Sequence, residues 1–195
     1  LCMYSSGQLK IWDLKTAQTE KELGAHPDRI LGSLPLGESK LLTWCRAGTL
    51  SIWDLDKGSH EITMTGHCAA VLLVLQLDDT RVASASIDGS LRIWDLRNGE
   101  NLCVMRQDNG PVCGIVRFND EKILSWSTDG QLYFWEIQTG NLLESRLVHD
   151  AAIRKVILHD SILITLSDDC SIGLLDLKSQ EQGYLQGHIS PVLDA

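Results

Sequence analysis

The chain has 195 residues, long enough for a sizeable core, with apolar residues at 44% spread evenly and no linker or composition break. A net charge of −9 with both signs interspersed leaves no basic stripe, which excludes a general phosphate-binding surface and argues against a nucleic-acid partner. The longest fully apolar run is Ala69 to Leu75, and no basic stretch precedes an apolar one near the start, so neither a membrane span nor a signal peptide is expected.

In chain order, Trp12-Asp13 is the first marker, and Leu1 falls inside a strand rather than at an initiator Met. Ala25-His26 opens a second segment, which holds Thr43, Trp44, Trp53-Asp54 and a Lys57-Gly58 turn. The segment from His67 to Gln107 is the most regular. There Val71 to Leu75 reads as an inner strand buried on both faces, and Asp78-Asp79-Thr80 as the turn after it. Val82 to Ser86 is a second strand, closed by Asp88-Gly89, whose glycine accepts positive φ. Leu91 to Trp94 alternates as a third strand, with Leu91 and Ile93 on one face and Arg92 and Trp94 on the other. Asn98-Gly99 turns the chain into a less regular outer strand, Leu102 to Met105.

The next segment places Asp108 where the histidine stood, then Ser125, Trp126, Asp129-Gly130, Trp135-Glu136 and Thr139-Gly140. The one after it runs through Val148-His149, Thr165, Asp168-Asp169 and the worn Leu175-Asp176, and Gly187-His188 begins another. The Trp-Asp markers are spaced by 41, 41, 41 and 40 residues, and the His markers lie about 27 residues upstream of them. Such a period, with Gly-His early and Trp-Asp late, resembles the WD40 repeat family along essentially the whole chain.

The resemblance implies an all-β WD40 β-propeller of four-stranded antiparallel blades. It gives one domain over 1–195, with repeats near 26–66, 67–107, 108–148 and 149–187 and partial units at 1–25 and 188–195. Each blade has two apolar faces and must stack on neighbours. Two readings of the ends stay open: an excerpt from a longer propeller or protein, which the missing Met favours, or a C-terminal strand completing the N-terminal blade.

Within 67–107 the family pattern implies a structural tetrad of His67, Ser84, Asp88 and Trp94. An indole N–H and an imidazole between strands need partners, and a hydroxyl and a carboxylate supply them. Ser, His and Asp together suggest a hydrolase, but the indole caps the hydroxyl, so the tetrad is read as structural and no catalytic residue is expected. Elsewhere the pattern is incomplete: Ala47 stands at the Asp position of the His26, Thr43 and Trp53 set, Asp108 at the His position of the Ser125, Asp129 and Trp135 set, and Leu175 at the Trp position of the His149, Thr165 and Asp169 set.

The six cysteines form no Cys-x-x-Cys pair and have no histidine at zinc-finger spacing, so no metal or cofactor is expected. They read as buried reduced thiols, which suits a cytoplasmic or nuclear location. His60 and His159 fall outside the register and read as exposed turn or strand-end residues. Asp78-Asp79 and Asp168-Asp169 read as turn residues, because neighbouring strand positions point to opposite faces.

The resemblance implies a non-catalytic scaffold whose loop face binds peptides or proteins. The expected contact residues are those before the second-turn Asp position, Arg46, Ile87, Thr128 and Asp168, on the His-bearing face. Trp44 and Trp126 occupy matching second-strand positions and read either as packing aromatics or as partner anchors. The alternative function is a sensor or autoinhibitory array in a larger signalling protein, and the remaining blades of a longer propeller are a further possible partner.

Overall fold

A computed structural model describes residues 2–107 and 110–192. The described residues are all-β. The first sheet holds β1 (Cys2–Met3), β2 (Gln8–Asp13) and β3 (Gln18–Ala25) in that order, and the second holds β4 (Ile30–Leu36), β5 (Lys40–Cys45), β6 (Leu50–Asp54) and β7 (Ser59–Met64). The third comprises β8 (Val71–Gln76), β9 (Arg81–Ser86), β10 (Ser90–Asp95) and β11 (Asn101–Arg106). The fourth comprises β12 (Val112–Arg117), β13 (Lys122–Ser127), β14 (Gln131–Glu136) and β15 (Leu142–Leu147), and the fifth β16 (Ile153–His159), β17 (Ile162–Ser167), β18 (Ile172–Asp176) and β19 (Gln182–Leu185). Two compact units are present, Leu1–Asp88 with Arg92–Leu102, and Gly89–Leu91 with Cys103–Ala195.

The sheets are separate and none closes on itself, so the expected WD40 β-propeller is corrected to a series of small antiparallel sheets. The recurring Trp-Asp dipeptide has a local cause that carries no information about closure. Its Trp is the penultimate residue of its strand, buried at Trp53, Trp94 and Trp135, and its Asp accepts the backbone N–H of the turn that follows. Asp13 accepts from Lys15 N, Asp54 from Lys57 N, Asp95 from Arg97 N and Asp176 from Lys178 N, each at 2.8 Å. Such Asx-type bonds substitute for a lost ladder bond where the strand must stop. The Arg97 guanidinium and these turn bonds hold the Asp95 carboxyl down at about 2.

In the first compact unit, Leu42, Leu50, Ile52, Val71, Val74 and Trp94 belong to one core cluster. In the second, Leu124, Leu132, Ile153, Val156 and Leu163 do the same. Middle strands such as β6 and β13 are the most buried, whereas the last strands β15 and β19 are largely exposed. One strand departs from expectation. Val71 to Leu75 is not buried on both faces, because a register shift between Val71 and Leu73 leaves Leu72 and Leu73 exposed.

The second and third turns of each segment need left-handed backbone. Gly48, Gly89 and Gly130 supply it at the second turn with φ of 86°, 78° and 78°, but the fifth sheet puts Cys170 there at φ 67°. A Cβ in that region strains against its own carbonyl. Cys170→Gly is therefore expected to stabilise the protein by about 0.5–1 kcal/mol, the relief of strain exceeding the added freedom of the unfolded chain. A thermal or urea titration checks it, and an unchanged or lowered midpoint would refute it.

All six cysteines are free. Only Cys45 is buried, and Cys2 and Cys68 are exposed, so the expectation of buried thiols holds at one position. No helix among the described residues is long and apolar enough to cross a membrane.

Candidate functional site

The regular segment builds its four-residue network at the junction of the β7–β8 loop with β9 and β10. The His67 ring contacts Asp88 Oδ2 through Nδ1 at 2.9 Å and Ser84 Oγ through Nε2 at 2.7 Å, and Trp94 Nε1 donates to Ser84 Oγ at 2.8 Å. One tautomer satisfies every member: Nδ1–H donates to Asp88, and Nε2 accepts the Ser84 proton. The indole also meets the imidazole edge-on, with centroids 6.0 Å apart. Ser84, with no exposed surface, is both donor and acceptor within the network, which leaves it no approach to a substrate. Burial is the main reason the His67 pKa is lowered, against the opposing pull of Asp88.

The second sheet solves the same problem without a carboxylate. His26 Nε2 lies 2.6 Å from Thr43 Oγ1, which also accepts from Trp53 Nε1 at 2.7 Å. Thr49, two residues after the expected position at Ala47, stands 3.3 Å from Nδ1. With burial dominant, the nearby His60 adding to it and no anion to compensate, the His26 pKa falls to about 4. An unfolded histidine titrates near 6.5, so the unfolded chain takes up this proton first as the pH drops. The stability contribution of neutral His26 is complete above pH 6.5, declines between 6.5 and about 4, and is then constant. The loss expected is about 2 kcal/mol after allowing for residual hydration. Ala47→Asp, which copies the Asp88 position, should shrink that loss. Stability measured from pH 7 to 4 checks both, and an acid response identical in the variant would overturn the assignment.

The fourth sheet moves the donor by one residue. Asp108 lies outside the described residues, and Gln107 Nε2 reaches Ser125 Oγ at 2.5 Å beside the Trp135 indole at 2.8 Å. Asp129 accepts instead from the Tyr133 hydroxyl at 2.6 Å, and that ring stacks on Trp135 at 6.1 Å.

The fifth sheet has the most altered arrangement. His149 Nδ1 meets Asp169 Oδ2 at 2.8 Å and Nε2 meets Thr165 Oγ1 at 2.7 Å, but Leu175 brings no indole. Gly173, two residues before it, leaves no Cβ over the ring; one built there would lie 3.0 Å from His149 Nε2. Its cross-strand partner Tyr184 covers the gap. That ring lies edge-on to His149 at 5.9 Å and its hydroxyl donates to Val148 O at 2.8 Å. Burial opposes ionisation of Asp169, but bonds from Ser171 and His149 outweigh it and hold the carboxyl at about 2. Beside this network lies a cleft of about 450 Å³, bordered by Asp150, Cys170, Ser171 and His188.

The residues expected to contact partners fall into two groups. Arg46, Ile87 and Thr128 expose their side chains just beyond the second strand, whereas Asp168 is half-buried. The backbone N–H of Arg46 donates to Arg29 O, that of Ile87 to Ala70 O and that of Asp168 to Ala152 O, so these turns are tethered. Asp168 also holds the Arg154 guanidinium, with Nε to Oδ1 at 2.8 Å. Trp44 and Trp126 are packing aromatics, 8% and 6% exposed, and neither is presented as an anchor. His60 and His159 are exposed, and the His60 ring lies edge-on to Trp53 at 5.0 Å.

The tryptophans reveal a pairing that the sequence spacing did not flag. Gly32 is the β4 partner of Trp44 and Gly114 the β12 partner of Trp126, and a Cβ on either glycine would fall 2.2 Å from the indole. In the third sheet the same pair is Leu73 with Ala85. The larger member of the pair thus lies on the second strand in the second and fourth sheets and on the first strand in the third.

Among the described residues no group of three or more His, Cys, Asp or Glu side chains is placed to hold a metal. No family model and no curated protein matches the chain. Among solved structures it is similar to the crystal structure of the computationally designed Ika8 protein, with a TM-score of 0.83 and 22% identity over 98% of this chain. The chain spans 60% of that protein's length. This similarity to a designed protein, together with the absence of a family match and the separate sheets, removes the WD40 assignment. What stands is an all-β chain of recurring antiparallel sheets.

Proposed function

We propose that this chain is a non-catalytic docking module for protein or peptide partners, working in a reducing compartment such as the cytoplasm or nucleus. The observation that carries the reading is the contrast at the second turns. The backbone is tied down at Arg46 and Ile87, while the side chains of Arg46, Ile87 and Thr128 are exposed and differ from sheet to sheet. A tethered backbone with variable exposed side chains lowers the ordering cost of binding. The Ser and Thr hydroxyls that invite a catalytic reading are buried and engaged, by imidazole at Thr43, Ser84 and Thr165, by the Gln107 amide at Ser125, and by indole at Thr43, Ser84 and Ser125. Six free thiols fit the reducing compartment.

The test compares partner capture by the unaltered chain with capture by an Arg46→Glu, Ile87→Asp and Thr128→Arg variant. Partners retained by the first and lost by the second support the reading, provided the melting temperature is unchanged. Equal capture by both places the binding elsewhere.

A further inference from the structure

The two compact units contain matching clefts of unequal size. In the second unit, a cleft of about 370 Å³ is lined by Phe118, Phe134, Lys122 and Leu177, and its two phenyl rings meet edge-to-face at 5.5 Å. In the first unit the counterparts of those rings, 82 residues earlier, are Leu36 and Ile52, and the cleft there is about 750 Å³. Lys40 is the counterpart of Lys122 and Leu96 that of Leu177. The chain thus builds one cleft twice, narrows it with two aromatic rings in one unit and leaves the other wider.

We propose that the cleft floored by Leu36, Ile52, Ile62 and Leu96 is a docking pocket for an aromatic side chain presented by a protein partner. Its floor is aliphatic, with Leu36, Ile62 and Leu96 half-buried against the core. Its rim cations already hold carboxylates, Lys40 with Glu61 at 2.6 Å and Arg97 with Asp95. An anionic occupant would have to displace one of these and would also face Asp79, whereas a neutral ring can lie on the aliphatic floor inside the polar rim of Lys40, Glu61, Gln76, Asp79 and Arg97, and edge-to-face aromatic packing is what the sister cleft already contains. Pockets filled by a buried aromatic anchor carry much of the energy of protein interfaces. This site is separate from the second-turn residues, so either can fail without the other.

The experiment titrates the protein with the pentapeptide acetyl-Gly-Ser-Phe-Ser-Gly-amide, with its Ala counterpart, and with N-acetylphenylalaninamide, following the methyl resonances of Leu36, Ile52 and Ile62. Saturable shifts with the Phe peptide, at least tenfold weaker with the Ala peptide, are expected. Leu36→Phe, which copies Phe118, should weaken the Phe peptide about tenfold. Ile62→Glu, which copies Glu144, provides a second variant should the first disturb folding. Absence of saturable shifts, or binding undiminished in both folded variants, overturns the proposal. Equal affinity for N-acetylphenylalaninamide and the peptide overturns its protein-partner half, since the pocket then takes a small aromatic molecule.

Discussion

Gly114→Leu is expected to destabilise the protein severely, and a second change that is harmful alone should rescue it. The Cβ of any residue at 114 would lie 2.2 Å from Trp126 Cζ2, inside the indole and not at the end of a flexible chain. Trp126 is itself buried in a core cluster with Ile153 and Val156. The substitution should cost about 3 kcal/mol or more, at the upper end for overpacking. Trp126→Ala alone should cost about 3–5 kcal/mol through the cavity it leaves. The double variant recreates the Leu73 and Ala85 pair of the third sheet, so its cost should fall well below the sum, with a coupling of about 2 kcal/mol or more. A double-mutant cycle by urea unfolding measures this. Additive costs would show that the cross-strand pair is not one packing unit.

Trp94→Ala is the second large effect. The side chain is fully buried, belongs to the core cluster with Val71 and Val82, and donates the hydrogen bond that orients Ser84 toward His67. Removing it leaves a cavity and an unmatched Ser84 oxygen, for an expected loss of about 3–5 kcal/mol. Thr128→Ala, at an exposed turn, should stay within about 0.5 kcal/mol. Comparable midpoint shifts for the two would contradict the division between structural and surface positions.

The period, the turns and most strands were legible because they follow from local rules: alternation, glycine at left-handed positions, and an aspartate where a strand ends. The network around His67 was expected only because the repeat resemblance implied it; spacing alone did not, and the physical rule added was that a buried indole and imidazole need partners. Partners that arrive from elsewhere were not legible. Thr49 replaces a carboxylate from two residues further along its turn, Gln107 enters one position before the expected Asp108, and Tyr184 crosses from the fourth strand to stand where an indole was missing. These substitutions preserve the interaction while moving its origin, which offset counting cannot register. Whether the sheets close into a ring was not legible either. A repeat period reports what each sheet needs from its own turns and neighbours, and it is silent on how a series of sheets ends.

The placement of Tyr184 bears on how the fifth sheet responds to mechanical load. β19 is an edge strand joined to β18 over four residue pairs, Ile172 with Leu185 through Leu175 with Gln182. Tension applied beyond Leu185 unzips that seam from its Leu185 end, one rung after another instead of shearing all together, and Tyr184 departs with the second rung. The phenol then releases Val148 O, and water reaches the His149 ring while its bonds to Thr165 and Asp169 are still intact. In the second and third sheets the covering indole sits on an interior strand, so the same pull would strip the edge and leave the imidazole dry.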